Sequence, residues 1–249
     1  MRPDQAPSTP ELSVVVPVWN EAGNIEPLIA EITSVLEGKV NYEIVYVDDG
    51  SRDETPERLI RASKETPRLR VLRHRIRCGQ SAAIRTGVKA ARAAWVATLD
   101  GDGQNDPADI PTLLAILQQA DRPPRLRMVV GERRRRKDNW IKRASSRVAN
   151  AVRRAFLEDD TPDTGCGLKL IHRETFLDLP FFDHMHRFLP ALVLRERGQV
   201  LSVEVHHRPR SRGTSKYGLF DRLWVGLVDL LGVLWLRRRA KQPEVTEIK

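Results

Sequence analysis

At 249 residues and 41% hydrophobic content, the chain is long enough to bury one sizeable core, as a single large domain or a domain with an appendage. Its two cysteines, Cys78 and Cys166, have no paired ligand spacing, which argues against a disulfide framework or a zinc site and suits a reducing compartment. The net charge of +9 is local: residues 133–154 hold ten basic side chains against one acid, Asp138, a patch that suits nucleic acid, an anionic membrane surface or a phosphate-rich substrate.

Residues 1–11 are polar and proline-rich and read as a disordered tail. They contain no apolar segment of the signal-peptide kind, which points to a cytoplasmic chain. Residues 12–18 form a continuous apolar run, interrupted only by Pro17, that predicts a buried first strand, and WNEAGN follows as its loop. Ile25, Leu28, Ile29, Ile32, Val35 and Leu36 then recur at helical spacing until Gly38. A second strand over 42–47 ends in Asp48, Asp49, Gly50 and Ser51, and Asp53 is placed to cap a helix through Lys64. A third strand covers 70–74, a helix opens at Gly79 and runs to about Ala93, and 95–99 is a fourth strand. A helix over 107–120 turns Ile110, Leu113, Leu114 and Leu117 inward, and 128–131 is a fifth strand. Strands and helices alternating at this interval imply a parallel sheet covered on both faces.

From Trp140 the spacing is helical again, with Trp140, Ile141, Ala144, Val148, Val152 and Ala155 on one arc and Arg143, Arg147, Asn150 and Arg154 on another. A solvated surface helix accounts for that pattern about as well as an anion-binding one, and the basic run 133–137 just before it favours the second. LKLIHR at 168–173 reads as a strand, 187–197 carries an apolar helical face, and 199–206 alternates as a strand. The pairs His184/His186 and His206/His207 have no carboxylate or cysteine at ligand spacing, so packing or surface roles are expected of them. RPRSRGTSKYG at 208–218 is a basic loop able to fold over an anionic ligand. Residues 223–236 are apolar but contain Asp229 and are followed by Arg237, Arg238 and Arg239, too short for a span of about 20 residues. Phe220, Trp224, Leu227, Leu231 and Trp235 share one helical face, which reads as an interfacial helix; docking onto the protein's own body or a dimer mate is the alternative.

The chemistry is signalled by TLDGDGQNDP at 98–107. Asp100, Gly101 and Asp102 fall at the C-terminal end of a buried strand, where open parallel sheets place their ligands. Two carboxylates one residue apart can share a divalent cation whose other positions go to phosphate oxygens and water. An isolated DGD is more often a solvated turn, and its position after a buried strand shifts the balance to the metal. Asp48/Asp49 would point to the same sheet edge, with Asn20 and Glu21 beside them. No GxGxxG follows the first strand and no GxxxxGK[ST] occurs, the GTSK at 213–216 being a fragment, so NAD enzymes and P-loop NTPases fit poorly. A nucleoside diphosphate held by metal and carboxylates remains.

Taken together, VVVPVWNE, IVYVDDGS, TLDGDGQNDP, DTGCGLKLIHR, MHRFLP and HRPRSRGTSKYG resemble the family 2 glycosyltransferases of GT-A fold, nearest to the polyprenyl-phosphate sugar synthases such as dolichyl-phosphate mannose synthases. The resemblance covers 12–217 and implies an α/β GT-A domain there, with a Rossmann-like, mostly parallel sheet flanked by helices. Residues 218–249 would form an amphipathic membrane-surface helix and a basic tail. It implies that Pro17, Trp19, Glu21, Val47, Asp49 and Leu99 surround the nucleoside and that Asp100, Asp102 and Gln104 take Mg or Mn. Arg133, Arg210 and Lys216 would contact the nucleotide-sugar phosphates and Arg147 the lipid phosphate, with Asp100, Asp102, Arg210 and Lys216 as the catalytic set. The chain departs from relatives that carry QxxRW after an acidic pair: Glu158 and Asp159 are present, QxxRW is not. It also lacks the two or more spanning helices in which several relatives end, and Trp19 stands where tyrosine is frequent, which leaves GDP or UDP open.

The implied reaction is inverting transfer of a sugar (mannose, glucose or a uronic acid, the last suited to an arginine-rich chain) from a nucleoside diphosphate to a polyprenyl phosphate. A phosphate monoester carries roughly −1.5 to −2 charges near neutral pH and needs no base to become nucleophilic. Transfer to a polysaccharide or protein hydroxyl is the same-fold alternative. A basic nucleic-acid-binding protein is the other, disfavoured because paired strand-end carboxylates repel a phosphate backbone. The expected partners are therefore the nucleotide sugar, the polyprenyl phosphate and a membrane surface at its cytoplasmic face, peripherally bound, with no nucleic acid and with a homo-oligomer left open.

Overall fold

The computed structural model describes residues 9–133, 159–209, 219–241, 243 and 245–247, with side chains of the last helix described from Gly226 onward. The expected 140–155 helix, most of the 208–218 loop, and with them Arg147, Arg210 and Lys216, lie outside the described residues.

The strands are β1 (Leu12–Val18), β2 (Tyr42–Asp48), β3 (Leu69–Arg73), β4 (Trp95–Thr98), β5 (Leu126–Arg133), β6 (Lys169–His172) and β7 (Gln199–Val205). They form a sheet of order β3-β2-β1-β4-β6-β5-β7. The helices are α1 (Ile25–Leu36), α2 (Thr55–Glu65), α3 (Gln80–Ala90), α4 (Ile110–Leu117), α5 (Arg173–Asp178), α6 (Leu189–Arg195) and α7 (Leu219–Arg238). Within the described residues the expected elements are recovered with shifted ends. The helix after Gly79 stops at Ala90, and that expected over 107–120 is a 3-10 turn, Pro107–Asp109, followed by α4 to Leu117. Residues 9–11, expected in the tail, are tied down: Glu11 donates its N–H to the Asn41 carbonyl, and the Asn41 amide reaches the Thr9 carbonyl.

Alternation along β1 explains the two layers. Leu12, Val14, Val16 and Val18 face one core with Ile44, Tyr46 and the apolar sides of α1, α2 and α4. Val15, with Val45 and Val47, faces a second core formed with α3, α5 and α6. A strand buried on both faces reads as unbroken apolar sequence, and each fully buried aliphatic side chain contributes roughly 1.5–3 kcal/mol. Pro17 is tolerated in this central strand because of where it falls. The Val15 carbonyl accepts the Leu99 N–H across the β4 side, and residue 17 faces the same side. The missing donor therefore ends the β1–β4 ladder, so β4 closes at Thr98 and the chain is released into the Asp100–Gln104 loop.

The sheet is mostly parallel, as expected, with one strand reversed. β6 runs antiparallel to both β4 and β5, pairing Thr98 with Lys169 and Lys169 with Val130. It enters the sheet from the Asp163–Leu168 side and is followed directly by the short α5. In consequence Lys169 and the loop before it sit against the C-terminal end of β4.

From Gly226 onward α7 packs by one face. Val233 is buried, Leu230 and Leu234 pack beside it against the second core, Asp229 pairs with His184 at 3.1 Å, and Arg195 Nε donates to the Leu236 carbonyl. Leu227, Val228, Leu231 and Trp235 are exposed. Among the described residues no helix is long and apolar enough to cross a membrane.

Candidate active site

Two acidic strand ends lie on the same edge, and they differ in what their oxygens do. At the end of β2, Asp48 Oδ1 accepts the Ser51 N–H at 2.9 Å, and Oδ2 lies 2.9 Å from Arg73 Nε. Asp49 accepts the Cys78 N–H on Oδ1 and the Gly79 N–H on Oδ2, both at 2.8 Å, and receives His74 Nδ1 at 2.7 Å, while His74 Nε2 meets the Thr86 hydroxyl at 2.9 Å. Asp49 therefore clasps the segment 74–79 to the sheet and holds the start of α3 in place. Gly50 permits this clasp: its φ is +71°, and a Cβ there would lie 2.9 Å from the Arg77 backbone nitrogen. Asn20 also has positive φ, 53°, and its side-chain oxygen accepts the Arg52 N–H, so the loops after β1 and β2 brace each other.

At the end of β4 the carboxylates face an opening. Asp100 accepts one side-chain hydrogen bond, from Gln80 Nε2 at 2.8 Å, and Asp102 Oδ1 accepts the Gln104 N–H at 3.1 Å. Burial, then repulsion from Asp102, pushes the Asp100 carboxyl above the usual aspartate range, with Lys169 and Arg133 pulling the other way. Gly167 is what lets Asp100 sit there. A Cβ on Gly167 would fall 2.2 Å from Asp100 Oδ2 and 2.6 Å from Asn105 Oδ1.

Beside Asp100 opens a cavity of about 310 Å³, lined by Gln80, Ile84, Thr98, Thr164, Gly165, Gly167, Lys169, His186, Arg187 and Leu189 as well as Asp100 itself. Alternation on β6 sends Leu168 and Leu170 into the first core and Lys169 to the opposite face, into this cavity. Lys169 is buried, its ammonium bonded to the Cys166 carbonyl, and burial lowers its pKa below the ordinary lysine value. His186 is held neutral by burial, its pKa lowered to about 3. Next to the cavity, Arg133 grips Asp163 with both arms of its fork, Nε to Oδ2 at 2.6 Å and Nη2 to Oδ1 at 2.7 Å.

The structure thus brings Asp49, Asp100, Asp102, Gln104 and Arg133 to one edge, along with Trp19 and Glu21. Arg77 lies over the Trp19 ring, 3.6 Å from its centroid, and Glu21 accepts a hydrogen bond from the Asn24 amide at 2.7 Å. Pro17, Val47 and Leu99 are buried at the tips of β1, β2 and β4, so what they offer that edge is backbone. The histidines set aside in the sequence take structural partners: His184 with Asp229, His206 with Asp109 at 2.8 Å, and His186 with Ser81 at 2.7 Å. Gln80, Gly167, Lys169, His186 and Arg187 were not anticipated as site residues. One signal for them existed in the sequence: a lysine inside the apolar run LKLI is a charge on a strand with no water to meet.

Two donor sets bear on a metal. Asp49, His74 and Cys78 offer ligand atoms within 4.8 Å of one another. Their lone pairs and protons are largely spent on one another and on backbone N–H groups, and this trio fits a structural clasp better than an ion site. Asp100 and Asp102 repel each other at a strand end. A pair of hard oxygen ligands in that state suits Mg or Mn.

Comparison with known proteins places these features in context. The pattern described as Glycosyl transferase family 2 matches residues 13–179. The dodecaprenyl-phosphate galacturonate synthase of Rhizobium johnstonii is 34% identical over 241 residues, covering 94% of this chain and 69% of the relative. The undecaprenyl-phosphate 4-deoxy-4-formamido-L-arabinose transferase of Aeromonas hydrophila is 34% identical over 213 residues, covering 84% of this chain and 63% of the relative. The chain therefore spans about two thirds of these relatives. In fold it is similar to glucosyl-3-phosphoglycerate synthase from Mycobacterium tuberculosis, solved with Mn2+, UDP-glucose and phosphoglyceric acid, with a TM-score of 0.69 at 20% identity over 94% of this chain and 81% of that one.

Proposed function

The chain belongs to glycosyltransferase family 2, and we propose that it transfers a sugar, with inversion, from a nucleoside diphosphate to a polyprenyl monophosphate. The observation that carries this reading is the cavity against Asp100: among the described residues that line it, Asp100 is the only carboxylate. An acceptor hydroxyl needs a base to take its proton, whereas a phosphate monoester arrives ionised. An acceptor phosphate oxygen forms the new bond to the anomeric carbon as the bond from that carbon to the diphosphate oxygen breaks, and the electron pair leaves with the nucleoside diphosphate.

Asp100 and Asp102, with Gln104 nearby, would hold Mg or Mn. A divalent cation there neutralises charge on the diphosphate. Gln80 orients Asp100 through its amide, and Gly167 leaves the room that Asp100 occupies. Asp163 keeps the Arg133 guanidinium beside this edge. Trp19 and Glu21, with the backbone at Pro17, Val47 and Leu99, are assigned to the nucleoside side, where Asp49 shapes the loop that carries Arg77. Arg210 and Lys216 are assigned to the diphosphate and Arg147 to the lipid phosphate.

The lipid acceptor also gives the exposed stripe of α7 a purpose. Leu227, Val228, Leu231 and Trp235 form an apolar face followed by Arg237, Arg238 and Arg239, the composition of a helix that lies in an anionic headgroup layer. The chain would then act peripherally at the cytoplasmic face, with 12–217 as the catalytic domain and 218–249 as its membrane contact. Incubation with labelled UDP- and GDP-sugars, Mg or Mn and a short polyprenyl phosphate tests the reading. Label moving into an organic extract as a phosphodiester-linked sugar is expected; label found only in a water-soluble product would sink it. Vesicle flotation tests the helix: Leu231→Glu should abolish binding to anionic vesicles.

A further inference from the structure

The cavity beside Asp100 has an unusual balance of charge. Lys169 is only 4% exposed, yet among the described residues its ammonium has one hydrogen-bond partner, the Cys166 carbonyl, and no carboxylate within ion-pair distance. A buried ammonium normally has an anion against it, because burial strips its water without replacement. Asp100 and Asp163 act on it only from farther away, and Asp163 is already engaged by Arg133. Arg187 also lines the cavity, exposed and likewise without an ion pair among the described residues.

His186 lines the same cavity. Ser81 Oγ accepts the His186 backbone N–H at 3.3 Å and lies 2.7 Å from Nδ1, so Nδ1 is engaged and Nε2 is the ring nitrogen left to a ligand. Ile84 and Leu189 supply an apolar wall. At about 310 Å³ the space is at the small end of ligand pockets, room for one sugar ring and not for a nucleotide.

We propose that this cavity holds the sugar ring of the donor and that Lys169, with Arg187, binds a carboxylate carried by that ring, so that the preferred donor is a nucleoside diphosphate hexuronate. The inference rests on the glycosyltransferase reading above and extends it to the class of sugar. A neutral hexose would leave Lys169 facing a hydroxyl; a uronate offers it two oxygens, and the Arg187 fork completes the set. The diphosphate is the other anion a donor brings, so the test separates the two.

The full chain, with Mg or Mn and polyprenyl phosphate, is given matched donors: UDP-galacturonate against UDP-galactose, UDP-glucuronate against UDP-glucose, and GDP-mannuronate against GDP-mannose. The uronate of at least one pair is expected to exceed its hexose by about 10²-fold or more in kcat/KM. Lys169→Met should lower the uronate value at least tenfold more than the hexose value, chiefly through KM, and Lys169→Arg should restore part of it. Arg187→Leu, at an exposed position with little risk to folding, should shift the ratio the same way by a smaller factor. Calorimetry with UDP and GDP alone should give the same affinity in wild type and Lys169→Met. Three outcomes overturn the inference: wild type preferring the neutral hexose in every pair, Lys169→Met losing both donors in parallel, or that variant losing the bare nucleotide equally. Hexose transfer to the lipid without uronate transfer leaves the acceptor reading standing. Uronate-selective binding that depends on Lys169, without any lipid product, supports the cavity assignment and removes the acceptor.

Discussion

The two acidic tips at the ends of β2 and β4 look alike in sequence, DDGS and DGDG, and the fold uses them in opposite ways. Asp49 is saturated, two backbone N–H groups and an imidazole occupying its oxygens, while Asp48 takes the Ser51 N–H and pairs with Arg73, and the product is a fixed loop. Asp100 has a single side-chain hydrogen bond among the described residues, from Gln80, and it and Asp102 repel each other beside a cavity. A carboxylate whose acceptor capacity is filled by its own chain is architecture, and one held out of water with capacity left over is available for chemistry.

The sharpest way to break this contrast is at the open tip. Asp102→Ala should cost at least about 10²- to 10³-fold in transfer rate while leaving the thermal transition nearly unmoved, measured by turnover and by calorimetry on one sample. Near-normal turnover in that variant would remove the carboxylate pair from the mechanism. Gly167→Ala should come next. The added methyl would fall 2.2 Å from Asp100 Oδ2, so Asp100 must move, and a rate loss of about tenfold or more is expected together with about 1–3 kcal/mol of stability.

Asp49→Asn should show the reverse balance. Turning an amide NH2 toward backbone donors leaves at least one of the Cys78 and Gly79 N–H groups without an acceptor, costing about 1–3 kcal/mol. The melting temperature should fall by several degrees, since each kcal/mol is worth about 2–4 °C in a chain of this size. Hydrogen exchange of residues 76–80 should quicken more than that of β4.

The smallest effect sharpens the comparison by its sign. The folded-state pKa of Asp100 is raised, so its contribution to stability is fully present below the unfolded aspartate pKa and is lost as pH rises through the folded value. Above that folded value, without added metal, ionised Asp100 therefore opposes folding, and there Asp100→Asn should melt at the same temperature as wild type or slightly higher. Added Mg or Mn should raise the wild-type melting temperature and leave that of Asp100→Asn nearly unchanged. A clear metal-free loss of stability in Asp100→Asn would place Asp100 with Asp49 as a structural acid.

How much of this was legible in the sequence follows from the range over which each feature is encoded. The unbroken apolar run of β1, the helical spacing of α1 and the acids after β2 and β4 are local patterns, and they gave the layered α/β fold and the site-bearing edge directly. The apolar pattern of LKLIHR marks β6 as a strand but not its antiparallel sense, because strand direction is decided by which neighbours remain unpaired and not by period. In α7 the spacing grouped Leu227, Leu231 and Trp235 on one face. That this face is the exposed one, while Val233 on another is buried, depends on α6 and the second core.

The sequence by itself determined which residues are strands and helices, and where carboxylates and arginines collect, since apolar periodicity and charge are written residue by residue. Only the tertiary structure decided which acids are spent and which are open. Asp49 is filled by groups 25 to 30 residues away, and the Asp100 site is completed by a strand whose Gly167 carbonyl meets Thr98 across 69 residues. The satisfaction of a polar group is a property of everything packed around it, and no stretch of chain carries that information alone.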